Sequence, residues 1–144
     1  MSEDKPRRVA TGLGAIPHNL ALGIEAIELE RATALLRLPY DLKLVGNPDT
    51  GTLHGGAITA LLDACSGTAV FTALTVWAPI ATLDLRIDYL RAAEPGRDVL
   101  GRARCYKVTR NVAFTRAVAY HDSEDDPIAT AAGTFMLHTK AASK

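Results

Sequence analysis

The sequence lacks an excess of charge of either sign, because its 144 residues include 16 basic and 16 acidic side chains. It also lacks a basic cluster, which argues against a nucleic-acid partner. The charged residues 1–8 have no apolar run behind them, so we expect no signal peptide. The only two cysteines, Cys65 and Cys105, offer neither a disulfide framework nor metal-ligand spacing. These absences indicate a soluble cytoplasmic protein with reduced thiols and no metal.

The sequence does contain one long apolar segment, residues 53–77, with a single formal charge at Asp63. A helix that is apolar on every side is buried on every side, so we predict a central core helix that stops before Pro79. His54, Asp63 and three glycines make the segment a poor membrane span. An unpaired buried carboxylate is costly, so Asp63 requires an explanation.

Alternating apolar and polar residues predict strands on both sides of this helix. Before it, the alternation covers residues 24–38, after a short helix within residues 16–22. After it we predict four strands in a row, at about 82–89, 99–109, 112–121 and 128–138. Residues 1–12 are predicted to be a flexible arm and residues 139–144 a loose tail of one domain that spans 1–144.

Consecutive strands joined by short turns imply an antiparallel meander. Such a sheet has one face to cover, and the long apolar helix is the only element able to cover it. We therefore predict an α+β fold, in which a curved antiparallel sheet of about five to six strands wraps around the central helix.

Residues 51–63 read G-T-L-H-G-G-A-I-T-A-L-L-D, and this pattern resembles the hotdog-fold acyl-CoA thioesterases of the phenylacetate-pathway (PaaI) type. In that family H-G-G is followed by a helix with an acidic residue nine positions after the histidine, as Asp63 follows His54 here. The strand at residues 82–90 resembles the family's next strand, which often begins with a serine or threonine at the active site. The resemblance covers about residues 15–138 and implies hydrolysis of a small aryl- or acyl-CoA to free acid and CoA.

Thioester hydrolysis requires a group that stabilises the carbonyl oxygen as it gains negative charge. The first N–H groups of a helix have no intrahelical partner and lie at its positive end, and glycine lets a substrate approach them closely. The Gly55 N–H is therefore the candidate oxyanion donor, and Gly56 beside it is a candidate substrate-binding residue. The alternative is that both glycines only allow tight packing between the helix and a strand.

The reaction also requires a group that delivers the attacking oxygen, and Asp63 is the candidate. It would act as a general base on water or as a nucleophile that forms a mixed anhydride, and the residues do not decide between the two. The alternative is an aspartate on an exposed edge of the helix.

Three further residues are candidates for supporting roles. Thr82, on the polar face of its strand, would hold the water beside Asp63, or be an ordinary strand threonine. His54 would orient the loop or line the pocket. Some family members carry an asparagine six residues before the histidine; Pro48 occupies that position here, so Asn47, one residue earlier, is the candidate for binding substrate.

Helix geometry predicts that the active site lies between two subunits. Gly55 and Asp63 are eight residues apart, which is ~12 Å along a helix axis, so both cannot reach one thioester carbon from the same chain. We therefore expect a homodimer with two equivalent sites, and the resemblance implies that dimers pair into a homotetramer. No cofactor is expected, since coenzyme A is part of the substrate, and we expect neither a nucleic-acid nor a membrane partner.

Two other functions fit parts of the sequence. The first is suggested by a partial resemblance to the D-x-N-P-φ-H pattern of hotdog-fold enoyl-CoA hydratases, where φ is apolar. Asp49, Leu53 and His54 have that spacing, although T-G-T replaces x-N-P. The second alternative is a non-enzymatic acyl-CoA binding module on the same scaffold.

Overall fold

A six-stranded antiparallel sheet curves around one long helix in the computed structural model, which describes residues 4–138, with the backbone alone at Pro6 and Thr11. The elements in chain order are α1 (Asp4–Ala15), α2 (Pro17–Leu22), β1 (Glu25–Glu30), β2 (Thr33–Leu38), a 3-10 turn (Leu42–Leu44), β3 (Val45–Asn47), β4 (Thr52–Leu53), α3 (Gly55–Ala73), β5 (Ile80–Tyr89), β6 (Val99–Val108), β7 (Val112–Tyr120) and β8 (Ala129–Leu137). The spatial order of the large sheet is β1-β2-β6-β7-β8-β5, while β3 and β4 form a separate two-stranded sheet. The predicted α+β architecture is confirmed.

The central helix α3 is buried along most of its length against the concave face of the sheet. Leu61, Leu62 and Val70 are fully buried and pack with the strand residues of the core. By length and a mean hydropathy of 1.3, α3 is apolar enough to cross a membrane, but 61% of that span is buried inside the protein. Helices buried in a protein core meet the same criteria of length and hydropathy, so these two properties are weak evidence for a membrane span.

The apolar segment that predicted this helix is longer than the helix itself. Leu74 adopts extended backbone angles and ends α3, so residues 74–77 lie outside it. The β-branched Thr75 and Val76 and the nearby Pro79 disfavour continuation of the helix.

The single strand predicted within residues 24–38 is two strands. A turn at Arg31 and Ala32 folds β1 back on β2, with Glu30 opposite Thr33. Ala32 adopts a left-handed φ of 62°. Hairpin turns with positive φ usually carry Gly or Asn, so neither residue of this turn signals it.

The flexible arm predicted for residues 1–12 is wrong for its described part, because residues 4–15 form the helix α1. Tertiary contacts stabilise this helix: Leu13 is 6% exposed, and the Lys5 ammonium donates to the carbonyls of Thr72 and Leu74 at the end of α3. Such contacts are non-local and cannot be read from the charged sequence. Residues 1–3 and the predicted tail at 139–144 lie outside the described residues.

The strand β5 lies at one edge of the large sheet and contains a bulge. Thr82 pairs with Phe135 and Asp84 with Thr134, so Leu83 is the extra residue. A bulge reverses the inside–outside alternation of the residues beyond it. Thr82 therefore shares the helix-facing side with Leu85 and Ile87, although simple alternation placed it with the polar residues.

Candidate active site

The start of α3 is held by the loop that precedes it. The His54 N–H donates to the carbonyl of Leu44 (2.8 Å), and His54 Nδ1 accepts the N–H of Gly56 (2.8 Å). Gly46 packs directly behind this residue, since a Cβ on Gly46 would lie 2.8 Å from His54 Cα. His54 is thus the N-cap of α3, and the Gly56 N–H is occupied within the protein.

Tyr89 connects the first turn of α3 to the end of β5. Its hydroxyl donates to the Gly55 carbonyl (2.7 Å) and lies 2.5 Å from the Thr59 hydroxyl. As the first residue of the helix, Gly55 has an N–H with no intrahelical acceptor. Sequence reasoning missed Tyr89, because its only signal was the end of an alternating strand, and the pairing of that strand with the helix start is tertiary.

Asp63, in the middle of α3, lies beside Thr82 in the first half of β5. The Thr82 hydroxyl donates to Asp63 Oδ1 at 2.8 Å, so the predicted pair is adjacent. Asp63 is half-buried at the side of α3, between the fully buried Leu62 and the half-buried Ala64. The charge is therefore neither in the dry core nor on a free surface, and it has one hydroxyl partner with room for a further ligand.

The side chains next to Asp63 are not alternative nucleophiles. Cys65 is fully buried, its thiol donates to the Gly101 carbonyl (3.0 Å), and burial raises its pKa to about 12. A thiol with this pKa is not ionised near neutral pH and cannot attack efficiently. Ser66 is also fully buried and faces the core. Asp63, unlike Cys65 and Ser66, lines a cleft.

Two clefts border the central helix. The larger, about 1040 Å³, lies between α1 and α3 and includes Asp63 and Thr82; we call it the α1–α3 cleft. The smaller, about 290 Å³, includes His54 and Gly56. His54 and Gly56 therefore line one cleft and Asp63 lines the other, and the two clefts share His18 and Ala60.

The remaining candidates line neither cleft. Asn47 Oδ1 accepts the N–H of Asp49 (3.0 Å), and the Asn47 carbonyl accepts the N–H of Gly51 (2.8 Å), so this residue organises its own turn. A substrate-binding role for Asn47 stays a prediction. Asp49, which the hydratase alternative needs, is exposed in the same turn. Within residues 4–138, no three His, Cys, Asp or Glu side chains are grouped as metal ligands would be.

Comparison with known proteins gives matches over most of the chain. A profile described as thioesterase superfamily matches residues 50–128. The medium/long-chain acyl-CoA thioesterase YigI of Salmonella typhimurium is 33% identical over 135 residues, which cover 85% of this chain and 86% of that protein. A crystal structure from Pseudomonas aeruginosa is 45% identical, with a TM-score of 0.82 over 90% of this chain and 96% of the other.

A further solved structure is the phenylacetic acid degradation protein PaaI of Thermus thermophilus, a mutant form, with 27% identity and a TM-score of 0.73. The match covers 83% of this chain and 97% of that one. The helix-wrapped sheet, with a glycine pair at the helix start and a carboxylate farther along, defines a hotdog-fold enzyme that acts on thioesters. The chain belongs to the thioesterase superfamily and is an acyl-CoA thioesterase of the PaaI type.

Proposed function

We propose that this enzyme hydrolyses acyl-CoA at a site shared by two subunits, in which the Gly55 N–H of one chain and Asp63 of the other act on the same thioester. The observation that carries the proposal is the placement of both groups against β5. Asp63 is hydrogen-bonded to Thr82 in the first half of that strand, and Gly55 is hydrogen-bonded to Tyr89 at its last residue.

An antiparallel pairing of β5 with its own copy would bring the two groups together. β5 is ten residues long and has one edge unpaired within the described chain. Pairing around a two-fold axis near residues 85–87 would lay the Thr82 half of one strand beside the Tyr89 half of the other. Neighbouring strands are only ~4.8 Å apart, so Asp63 would lie close to Gly55 of the partner subunit.

The exposed surface around β5 supports a dimer at this edge. A long unpaired edge strand is a site for pairing with another chain, and natural monomers protect such edges. Here the edge carries exposed apolar side chains, Leu83 (53% exposed) and Leu90 (57%), and Trp77 (72%) lies just before the strand. Exposed apolar groups in one region mark an interaction surface. The predicted homotetramer, in which two such dimers pair, stays part of the proposal.

The chemistry assigns each group a role in forming and collapsing the tetrahedral intermediate. Water adds to the thioester carbon while the Asp63 carboxylate accepts its proton, and the Gly55 N–H of the other chain donates to the oxyanion. Collapse breaks the carbon–sulfur bond, and the departing CoA thiolate recovers the proton from Asp63. In the nucleophilic variant, Asp63 attacks the thioester carbon and expels the CoA thiolate, which leaves a mixed anhydride. Water then hydrolyses the anhydride to the free acid and the Asp63 carboxylate, and a proton released in this step goes to the thiolate. Thr82 holds the carboxylate in place in both variants.

The relatives and the cleft together support a proposal for the acyl group of the substrate. The relative YigI is named for medium- and long-chain acyl-CoA esters, while the PaaI relative belongs to phenylacetic acid degradation. A cleft of about 1040 Å³ has room for more than a small acyl group. We therefore propose that aliphatic acyl-CoA esters of medium or greater length are substrates, with small aryl esters as the comparison in the assay.

Mixing two inactive variants tests the shared site. Asp63→Asn removes the base, and Gly55→Pro removes the N–H donor. In a heterodimer of the two, one site carries both substitutions and the other carries neither. Random mixing would therefore restore about a quarter of wild-type activity, measured as free thiol released from octanoyl-CoA.

The outcomes of the mixing experiment separate the alternatives. If both groups act within one chain, every site in the heterodimer carries one substitution and no activity returns. The control Asp49→Ala is expected to retain activity, because Asp49 lines neither cleft. Loss of activity in Asp49→Ala together with an active Asp63→Asn would favour the hydratase. Binding of acyl-CoA without any turnover by the wild type would favour the binding module.

A further inference from the structure

The α1–α3 cleft is longer than the chemistry at Asp63 requires. On α3 it follows one face from Ala60 to Phe71, which is eleven residues or ~16 Å along the helix. Asp63 and Thr82 lie toward the first part of this face, and Phe71 and Trp77 line the far part. The rings of Phe71 and Trp77 are stacked, with their planes 4° apart. The cleft therefore extends about two helical turns beyond the carboxylate.

The wall opposite α3 is formed by α1, which runs antiparallel to it. At the start of α1, Lys5 is hydrogen-bonded to carbonyls at the C-terminal end of α3. Beyond the end of α1, His18 lines the clefts beside Ala60 and Gly56 at the N-terminal end of α3. Any residue between Lys5 and His18 that faces the cleft consequently lies along the path from Asp63 to Phe71.

The lining of this path is mainly apolar. The α1 side contributes Val9 and Leu13, and the floor contributes Ile80 and Phe135. Burial of an alkyl chain against such side chains is favourable in proportion to the apolar area removed from water. Asp4, Lys5 and Arg8 also line the cleft, at the start of α1. Lys5 is bound to the carbonyls of Thr72 and Leu74, and Arg8 lies 3.9 Å from Asp4. The apolar part of the path nearer Asp63 is therefore suited to the acyl part of the substrate.

Gly12 is the glycine of α1 that lines this path. It lines the cleft, and a Cβ built on it would meet no atom within 4 Å. It is seven residues along α1 from Lys5, hence ~10 Å from that end of the helix and between Asp63 and Phe71. Gly14 also has open space at its Cβ, but it does not line the cleft.

We propose that the α1–α3 cleft is the acyl channel of this thioesterase and that Gly12 determines the length of acyl chain it accepts. The proposal rests on the proposed role of Asp63 at the thioester carbon. A side chain at position 12 would close the channel beyond Asp63, so short chains would still fit and long chains would not.

The test compares Gly12→Leu with Gly14→Leu, which adds the same side chain to the same helix outside the cleft. The measured quantity is kcat/KM of the full-length enzyme for butyryl-, octanoyl- and palmitoyl-CoA. Gly12→Leu should lower the palmitoyl-to-butyryl ratio by about tenfold or more, since contacts of single methylene groups already discriminate at that level. Gly12→Ala should lower it less, and Gly14→Leu should leave it unchanged.

Each result bears on one of the two proposals. An equal loss for all three esters in Gly12→Leu would assign the cleft to the CoA part and overturn the acyl channel. A shift of the ratio in Gly14→Leu as large as in Gly12→Leu would also overturn it. If Gly12→Leu does not fold, Gly12→Ala decides alone, because alanine increases helix propensity. Absence of wild-type hydrolysis of any ester would refute the proposed function instead.

Discussion

Replacement of Gly55 by proline removes the proposed oxyanion donor and little else. Gly55 is the first residue of α3, a position where proline is favoured because its missing N–H has no intrahelical acceptor. The preceding His54 has φ −62° and ψ 134°, which is the extended conformation that a residue before proline adopts. A Cβ at position 55 would approach the Tyr89 hydroxyl to 3.4 Å, an ordinary contact. We therefore expect Gly55→Pro to fold normally.

The magnitude follows from the loss of one backbone donor. Removing one oxyanion donor typically costs ~3–4 kcal/mol of transition-state stabilisation, or about 10²–10³ in kcat. The Gly56 N–H cannot replace it, since His54 Nδ1 already accepts that group. Gly55→Ala keeps the N–H and should retain most of the activity, so the pair isolates the donor from the change in size.

The assay is thiol release from octanoyl-CoA, with thermal unfolding and molar mass in solution as controls for folding and assembly. The expected result for Gly55→Pro is a large loss of kcat with an unchanged unfolding midpoint. Activity of Gly55→Pro within a few-fold of wild type would refute the oxyanion role of this N–H. An equally large loss in Gly55→Ala would show that crowding against Tyr89, and not the donor, is responsible.

Two further substitutions test the carboxylate and the sheet. Thr82→Val removes the hydroxyl that binds Asp63 and should lower kcat/KM about tenfold, because a hydrogen bond to a charged group is worth ~1.5 kcal/mol at the low end of its range. Thr82→Ser keeps the hydroxyl and should retain wild-type kcat/KM. Equal losses of kcat/KM in both variants would contradict a role for this hydrogen bond. Gly133→Ala would place a Cβ 2.7 Å from the buried Thr115 hydroxyl and should lower the free energy of unfolding by about 1–3 kcal/mol in denaturant titration. An unchanged free energy of unfolding would contradict this prediction, because β7 and β8 would then have made room for the added methyl group without destabilising the fold.

The parts of this protein that were predictable from the sequence depend on local patterns. The unbroken apolar run predicted the central helix, and regular alternation with short turns predicted the strands β5 to β8. The His54-Gly55-Gly56 start and the position of Asp63 nine residues after the histidine determined the distance between the proposed oxyanion donor and the proposed base, because the rise of a helix is constant. The separation between the start of α3 and Asp63 in its middle therefore follows from the chain itself.

Only the tertiary structure decided which side chains support these groups. Thr82 faces Asp63 because the bulge at Leu83 reverses the inside–outside alternation of side chains along β5. The bulge itself depends on pairing with a strand far away in sequence. Tyr89 reaches Gly55 because β5 lies beside the helix start. The helix α1, whose residues look like a charged arm, is ordered by its contacts with α3 and forms one wall of the cleft. Register, edge position and burial are properties of contacts between segments far apart in sequence, and no local pattern contains them.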